Sequence, residues 1–206
     1  MIGRPVADPR TGRPGSGVSG CGTQASKVNE QPRFYFRSIN ASVPVMLRNS
    51  NQNTQARIAL AAPPYDADTA AALEALGPPI GIFRVFARRP DRAHGMAGWG
   101  RYYLSRRCAL SLRHRELLIL RTTARCGAEY EWGVHVAFYT GKTGFSDEQL
   151  VDTCRAKPDA ALWRPAQLAL LALADNLHDS SSVDDELWSR LSGHFSAEQL
   201  IECLMV

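Results

Sequence analysis

Long apolar runs are absent from this chain of 206 residues. No stretch approaches the roughly 18 consecutive apolar residues that a membrane-spanning helix needs, so we expect no membrane span. The N-terminus also lacks the continuous apolar segment of a secretory signal peptide. The glycosylation pattern at Asn40-Ala41-Ser42 is therefore interpreted as a chance match.

The cysteine pattern gives no sign of a disulfide framework. The chain has five cysteines, an odd number, and no two of them form a C-x-x-C pair. Together with the missing signal peptide, this pattern favours a reducing setting, and we expect a cytoplasmic protein. The five residues are Cys21, Cys108, Cys126, Cys154 and Cys203.

A concentrated positive charge is also missing from most of the chain. The formal net charge is +4, from 24 Lys/Arg and 20 Asp/Glu. Residues 1–56 hold seven of the basic and two of the acidic residues, a net of +5, which leaves 17 basic and 18 acidic residues, a net of −1, in residues 57–206. Nucleic-acid-binding domains carry a marked basic excess on one face, so we expect no nucleic-acid partner.

Residues 1–56 have the composition of a leader rather than of a folded domain. Residues 1–30 are rich in Gly, Pro, Ser, Arg and Thr, with too little apolar surface to offset the chain entropy, and we expect them to be disordered. Residues 33–48 are more apolar, but Pro44 interrupts them and they follow neither a helical nor a strand period. They are either an extended segment on the body or sequence upstream of the native domain. We expect the folded domain to span residues 57–206.

From residue 57 onward the apolar spacing is helical, and no segment alternates as a strand does. The sequence therefore predicts an all-α domain. Asp66 is a good N-cap for the first helix, and Pro and Gly residues mark most of the helix ends. We predict single helices over residues 67–76, 80–89, 91–107, 163–177 and 184–192. Residues 115–141 are predicted to form a pair of helices joined at Cys126-Gly127.

Two further helix starts share one sequence pattern. Phe145-Ser146-Asp147-Glu148-Gln149-Leu150 and Phe195-Ser196-Ala197-Glu198-Gln199-Leu200 both combine a capping box with a hydrophobic staple. The second of these helices runs to Val206 within an apolar pattern. Either a partner chain covers this apolar surface or a final segment is missing.

The polar groups able to do chemistry are concentrated between Arg115 and Gly141. On the first helix of this pair, Glu116 shares a face with apolar residues three and four positions away. Burying an ionised carboxylate there costs free energy unless a partner compensates. Two interpretations stay open, namely a functional carboxylate or a salt pair with Arg113.

On the second helix, His135 lies in an aromatic stripe with Glu131 one turn before it. A Glu at position i−4 can accept the ring N–H of a histidine and favour the imidazolium, which are the ingredients of a proton relay. The alternative is a structural pair that satisfies itself in the core. Tyr130 lies on another face, among small residues, and its hydroxyl needs a partner that is either structural or catalytic.

Cys126 is predicted at the N-terminus of the second helix, where the helix dipole and free N–H groups stabilise a thiolate. His135 follows nine residues later, about 13 Å along the helix axis, too far for a thiolate–imidazolium pair within that helix. A structural cysteine is the other interpretation. Glu116, Glu131 and His135 could converge, but no E-x-x-H or H-x-x-x-H pair supports a metal site, and we expect neither a metal nor another cofactor.

Three parts of the sequence, taken together, resemble the carboxymuconolactone decarboxylase family. They are the run from Arg115 to Arg121, the segment Cys126-Gly127-Ala128-Glu129-Tyr130-Glu131-Trp132 with His135, and the helix start Phe-Ser-x-Glu-Gln-Leu that follows. This family includes the alkylhydroperoxidase D-like enzymes. The similarity runs from about Pro63 to the end, and residues 1–56 have no counterpart. It implies an orthogonal helical bundle of the alkylhydroperoxidase D-like type with a central helical hairpin.

The resemblance also implies the site. Peroxidase members carry C-x-x-C-x-x-x-H with a Tyr between the cysteines and a Glu upstream. In this sequence the His of that motif falls on His135, the Tyr on Tyr130 and the upstream Glu on Glu116. The two cysteines fall on Ala128 and Glu131, which cannot form the disulfide on which dithiol turnover depends. The resemblance therefore favours decarboxylase-like proton chemistry on a small organic substrate, with Glu116, Tyr130, Glu131 and His135 as the catalytic residues.

Family members commonly assemble as trimers or hexamers, so the resemblance implies a homo-oligomer. Two alternatives to the proton-relay enzyme stay open. One is a one-thiol hydroperoxide reductase of peroxiredoxin type that uses Cys126. The other is a non-catalytic oligomeric scaffold that has kept the fold.

Overall fold

The computed structural model describes residues 57–206, and the expectations for the leader lie outside these residues. Within the described part, nine α-helices and no strand are present, which confirms the all-α class. A short 3-10 turn covers Ala160–Leu162. The helices are α1 (Ala67–Leu76), α2 (Gly81–Phe86), α3 (Pro90–Tyr103), α4 (Leu112–Arg125), α5 (Glu129–Thr143), α6 (Asp147–Asp152), α7 (Pro165–Ser180), α8 (Asp185–Ser192) and α9 (Ala197–Met205).

Side-chain caps fix the start of several helices where the sequence predicts them. The Asp66 carboxylate accepts a hydrogen bond from the backbone N–H of Thr69 at 2.7 Å and starts α1. Both predicted capping boxes are present, at Ser146 for α6 and at Ser196 for α9. These caps satisfy N–H groups that would otherwise lack a partner at the helix start.

Some helix ends differ from the prediction. α3 ends at Tyr103 instead of near residue 107, and α7 runs from Pro165 to Ser180 instead of over 163–177. Pro165 occupies the first helical position, where its missing N–H is no loss. α5 continues through Gly141 and stops at Gly144, whose left-handed φ of 67° suits glycine.

The apolar interior consists of two clusters. The small cluster packs α1 against α3 and against the end of α2. Its buried residues are Ala72, Leu73, Ala87 and Ala93. The main core is formed by the remaining helices. None of the helices in residues 57–206 is both long and apolar enough to cross a membrane. The fully buried centre of the main core includes Leu117, Leu150 and Leu170.

A buried arginine anchors α4, the helix that carries Glu116. The side chain of Arg121 is 1% exposed and forms an ion pair with Asp175 of α7, with Nε 2.7 Å from Oδ1. Its Nη1 donates to the carbonyl oxygens of Thr153 and Arg155. Because the guanidinium is both paired and fully hydrogen-bonded, its burial is compensated and α4 is fixed against α7.

Candidate active site

The central helices α4 and α5 bring Glu116 and His135 into direct contact. The Nδ1 atom of His135 lies 2.8 Å from Oε2 of Glu116. The Glu116 side chain is 1% exposed, whereas that of His135 is 15% exposed. The carboxylate is therefore shielded from water, while the imidazole is partly exposed. We call these two residues the dyad.

Arg115 compensates the buried charge of the dyad. Its Nε and Nη2 atoms lie 3.1 and 3.0 Å from Oε1 of Glu116. Its Nη1 donates to the carbonyl oxygen of Tyr103 at 2.7 Å. Each carboxylate oxygen of Glu116 thus has its own charged or polar donor, which is the condition for burying a carboxylate at low cost.

The predicted alternative, a salt pair between Glu116 and Arg113, is not formed. The Arg113 guanidinium donates instead to the carbonyl oxygen of Thr143 and to Oε1 of Gln149, and it lies over the ring of Phe145. Arg113 therefore fastens α4 to the end of α5 and to the start of α6.

The surroundings of His135 define which ring nitrogen is free. A carboxylate can only accept a hydrogen bond, so this contact places a ring proton on Nδ1, and in the neutral ring the lone pair is then on Nε2. In residues 57–206 no group hydrogen-bonds to Nε2. The ring of Tyr139 stacks on the imidazole with centroids 5.5 Å apart. Burial, and then the charge of Glu116, raise the pKa of Tyr139, so its hydroxyl stays protonated at neutral pH.

Glu131 does not hold the imidazole ring. It is half-buried on α5, and within the described part of the chain it makes no hydrogen bond or ion pair. The prediction that the carboxylate at i−4 accepts the ring N–H is therefore wrong, because the facing helix supplies Glu116 for that bond. Glu131 remains a second carboxylate one turn before His135 on the same helix.

Tyr130 lies at the contact between α5 and α2. Its hydroxyl oxygen accepts a hydrogen bond from the backbone N–H of Ile82 at 3.3 Å, and the residue is 41% exposed. A Cβ added at Gly81 would lie 2.9 Å from this oxygen, so the two helices meet through a glycine. The partner of the Tyr130 hydroxyl is thus a backbone N–H at a helix junction, and the residue is partly exposed.

The prediction for Cys126 is wrong in its helix position. Cys126 is the C-cap of α4, and its backbone N–H donates to the carbonyl oxygen of Thr122 at 2.9 Å. α5 begins only at Glu129, so Cys126 lies at the negative end of one helix dipole instead of at the positive end of the next. Its side chain is exposed, and all four cysteines of the described residues are free.

Neither a metal-binding cluster nor the cavity beside α1 adds a ligand site at the dyad, as far as residues 57–206 are concerned. Among residues 57–206, no group of three or more His, Cys, Asp or Glu is arranged to hold a metal ion. A cavity of about 300 Å³ lies beside α1, away from the predicted site residues. Its polar groups are already engaged, since Asp66 caps α1 and Arg88 donates to the carbonyl oxygen of Ala59.

The fold and the dyad together define an all-α domain with a buried carboxylate in contact with a partly exposed imidazole. Residues 90–175, which include α4, α5 and the dyad, match the model of the carboxymuconolactone decarboxylase family. The resemblance predicted from the sequence is confirmed over these residues. Comparisons with curated proteins and with solved structures found no match.

Sequence reasoning missed Arg115. Neighbouring residues on a helix point in different directions, so an i,i+1 pair such as Arg115 and Glu116 is not expected to interact. Here the long arginine side chain turns back towards Oε1 and is buried to 2% exposure. The available signal in the sequence was that Arg115 directly precedes the carboxylate of Glu116. The helical spacing rules pair residues three or four positions apart and do not treat direct neighbours as partners.

Proposed function

We propose that this protein is a decarboxylase-like enzyme of the carboxymuconolactone decarboxylase type that acts on a small organic substrate by proton transfer, without a dithiol centre. The observation that carries this proposal is the 2.8 Å contact between His135 Nδ1 and Glu116 Oε2, with Glu116 almost completely buried. A carboxylate that holds one imidazole nitrogen leaves the other nitrogen to act on a substrate.

In this proposal Nε2 of His135 takes the proton of the substrate's carboxyl group, and the bond to that group breaks, so that CO₂ leaves and the electron pair stays on the substrate carbon. The imidazolium then returns the proton to that carbon. The imidazolium that forms in between is stabilised by the adjacent Glu116 carboxylate, which also holds the ring in one tautomer. Arg115 keeps Glu116 in place by binding Oε1, so that Oε2 stays directed at Nδ1. Neither step requires an oxidant or a thiol.

Glu131 and Tyr130 have supporting roles in the proposal. Glu131 lacks a partner among the described residues and lies one helical turn from His135, so its carboxylate is available to accept a hydrogen bond from the substrate. The Tyr130 hydroxyl accepts the Ile82 N–H, which leaves its own proton free for donation. Both roles require that a substrate bound at the dyad also extends to Glu131 and Tyr130.

The test is a parallel assay of the purified protein with a carboxylated lactone and with an organic hydroperoxide. We expect the wild type to convert the lactone, and His135→Ala to lower the rate by about 10²- to 10⁴-fold, the usual contribution of a general base. Cys126→Ser should leave this rate unchanged. Equal lactone turnover in wild type and His135→Ala would contradict the proposal.

The exposed thiol of Cys126 favours one competing function, a one-thiol hydroperoxide reductase. In that case the hydroperoxide arm of the assay shows consumption that needs an external thiol and disappears in Cys126→Ser. If neither substrate is consumed while the fold is intact, the scaffold interpretation is favoured instead. The same three proteins therefore separate all three functions.

We further propose that the protein is a homo-oligomer, a trimer or a hexamer, and that it works in a reducing compartment such as the cytoplasm. Free cysteines throughout the described part support the reducing compartment. Large apolar side chains exposed on several helices support the assembly, since such surface is usually covered by a partner. They are Trp99, Phe138, Trp188, Ile201, Leu204 and Met205.

A further inference from the structure

Glu202 is a second buried carboxylate, and it holds the segment that joins α3 to α4. Its Oε1 accepts a hydrogen bond from the Tyr102 hydroxyl at 2.5 Å. Its Oε2 accepts from the Cys108 thiol at 2.7 Å and from the backbone N–H of Ala109 at 2.5 Å. A fourth donor is the backbone N–H of Leu110 at 3.3 Å. We call residues 102–110, which are the last two residues of α3 and the loop that follows them, the joining segment.

This carboxylate is ionised in the folded protein although it is buried. Burial raises the pKa of Glu202, but the hydrogen bonds donated by Cys108, Tyr102 and two backbone N–H groups outweigh this effect, and the pKa lies below its usual range. Tyr103 and Cys203 also face this region, and both have raised pKa values, first because of burial. The joining segment thus wraps around one fixed negative charge on α9.

The joining segment is held from its other side by Arg115. Nη1 of Arg115 donates to the carbonyl oxygens of Tyr103 and Ser105, at 2.7 and 3.4 Å. The other two nitrogens of the same guanidinium bind Oε1 of Glu116. A continuous series of contacts therefore leads from Glu202 through the joining segment and Arg115 to the dyad.

We propose that Glu202 is a positioning residue for the proton relay, an inference that rests on the proposed function. By fixing the N–H groups and side chains of the joining segment, Glu202 presents the carbonyls of Tyr103 and Ser105 to Arg115. Without these acceptors, a buried guanidinium nitrogen loses its partners and must rearrange, because unpaired buried donors are costly. Arg115 then no longer fixes Glu116, and the His135 ring loses its single orientation.

The experiment compares Glu202→Gln with Asp152→Asn in the full chain. Asp152 is equally buried and accepts from the Trp163 indole and the Asp159 N–H, but none of its hydrogen-bond partners lies in the joining segment. Ring-nitrogen NMR of His135 reports the tautomer without any substrate. We expect Glu202→Gln to turn one tautomer into a mixture and Asp152→Asn to leave it unchanged.

Turnover gives the second readout. We expect kcat of Glu202→Gln to fall about 10- to 100-fold with little change in KM, as for other losses of alignment at a distance from the reacting atoms. An unchanged His135 spectrum in folded Glu202→Gln overturns the inference, and so does an equal change in Asp152→Asn. If Glu202→Gln does not fold, Tyr102→Phe decides, because it removes one donor and keeps the charge. A smaller spectral change in the same direction supports the inference, and no change overturns it.

The two proposals fail in different ways. If the wild type converts no substrate, the proposed function is wrong, whereas the spectrum of Glu202→Gln still shows whether Glu202 orients His135. If the wild type is active and depends on His135, but Glu202→Gln has the wild-type spectrum and kcat, the positioning role alone is wrong.

Discussion

The described cysteines differ in burial, and burial determines how reactive each thiol is. Burial raises the pKa of the Cys108 and Cys154 thiols, and it raises that of Cys203 to about 12, with the neighbouring Cys108 and Glu202 adding to the effect. A protonated, buried thiol is a poor nucleophile. Cys126, by contrast, is exposed at the end of α4.

We predict that Cys126 is alkylated much faster than the other three described cysteines. With iodoacetamide at pH 8, peptide mass mapping should show labelling of Cys126 at least about tenfold faster than that of Cys108, Cys154 or Cys203, because only thiolates react and the buried thiols stay protonated. In guanidinium chloride the difference should vanish. Labelling of Cys203 as fast as Cys126 in the folded protein would contradict the structure.

The lowered pKa of Glu202 predicts an acid-sensitive contribution to stability. A carboxyl group with a depressed folded-state pKa stabilises the fold above its unfolded value of about 4.3, and this contribution is lost as the pH falls through the folded-state pKa. Glu202→Gln should therefore be less stable than the wild type at pH 7, by about 1 to 3 kcal/mol. The difference should shrink at pH 3, as measured by urea unfolding. An equal difference at both pH values would rule out this linkage.

At the scale of the helices, the contact between α2 and α5 depends on the absence of a side chain at Gly81. A Cβ there would lie 2.9 Å from the Tyr130 hydroxyl, which is too close without movement of one of the two helices or of the tyrosine. At Gly98 of α3, in contrast, an added Cβ meets nothing within 4 Å.

These two glycines form a matched pair for mutation. Gly81→Ala should be between neutral and about 1 kcal/mol destabilising, because the end of the partly exposed Tyr130 side chain must move aside and give up its hydrogen bond from Ile82. Gly98→Ala should stabilise it by about 0.5 to 1 kcal/mol, because alanine is the better helix former. Adding Tyr130→Phe to Gly81→Ala should recover much of the loss, since the colliding oxygen is gone. Chemical unfolding of the four proteins measures these changes, and a Gly81→Ala variant as stabilised as Gly98→Ala would refute the close contact.

The helix starts were predictable because their signals are local. Ser146, Ser196 and Asp66 all cap the helices that the sequence predicts for them. The turn between α4 and α5 lies at Cys126-Gly127 as predicted, but the N-cap of α5, Ala128, has no side-chain hydrogen bond that would mark the start of that helix in the sequence. Cys126 was therefore assigned to the wrong helix end.

The residues that the sequence singled out lie on α4 and α5, but the contacts between these residues were not predicted. The helical period placed Glu131 one turn from His135, and this local spacing favoured Glu131 as the carboxylate that holds the ring. The contact between α4 and α5 puts Glu116 there instead. Spacing along one helix cannot show which side chain of a facing helix comes closest, nor that Arg115 turns back onto its neighbour.

At the scale of the whole molecule, α3, α5 and α9 carry large apolar side chains that are exposed in the part of the chain that the structure describes. Trp99 is 52%, Phe138 44% and Ile201 61% exposed. Exposed apolar surface of this kind usually marks an interaction site. A symmetric assembly of identical chains would cover the same surface on each copy.

We predict an oligomer whose formation depends on α9. Size-exclusion chromatography with light scattering should give the mass of a trimer or hexamer for the wild type. Ile201→Lys should shift the mass towards the monomer, because a charged side chain would be buried in the interface. Ser192→Lys, at an exposed polar position of α8, is the control and should leave the mass unchanged. A monomeric wild type would contradict the proposal.

The central claim is that Glu116 fixes the protonation pattern of the His135 ring. Ring-nitrogen NMR of the wild type and of Glu116→Gln at neutral pH tests this claim most directly, because it needs no substrate. The structure predicts a single wild-type tautomer with the proton on Nδ1 and a mixture in Glu116→Gln. A wild-type ring that carries its proton on Nε2, or one that Glu116→Gln does not affect, would contradict the account.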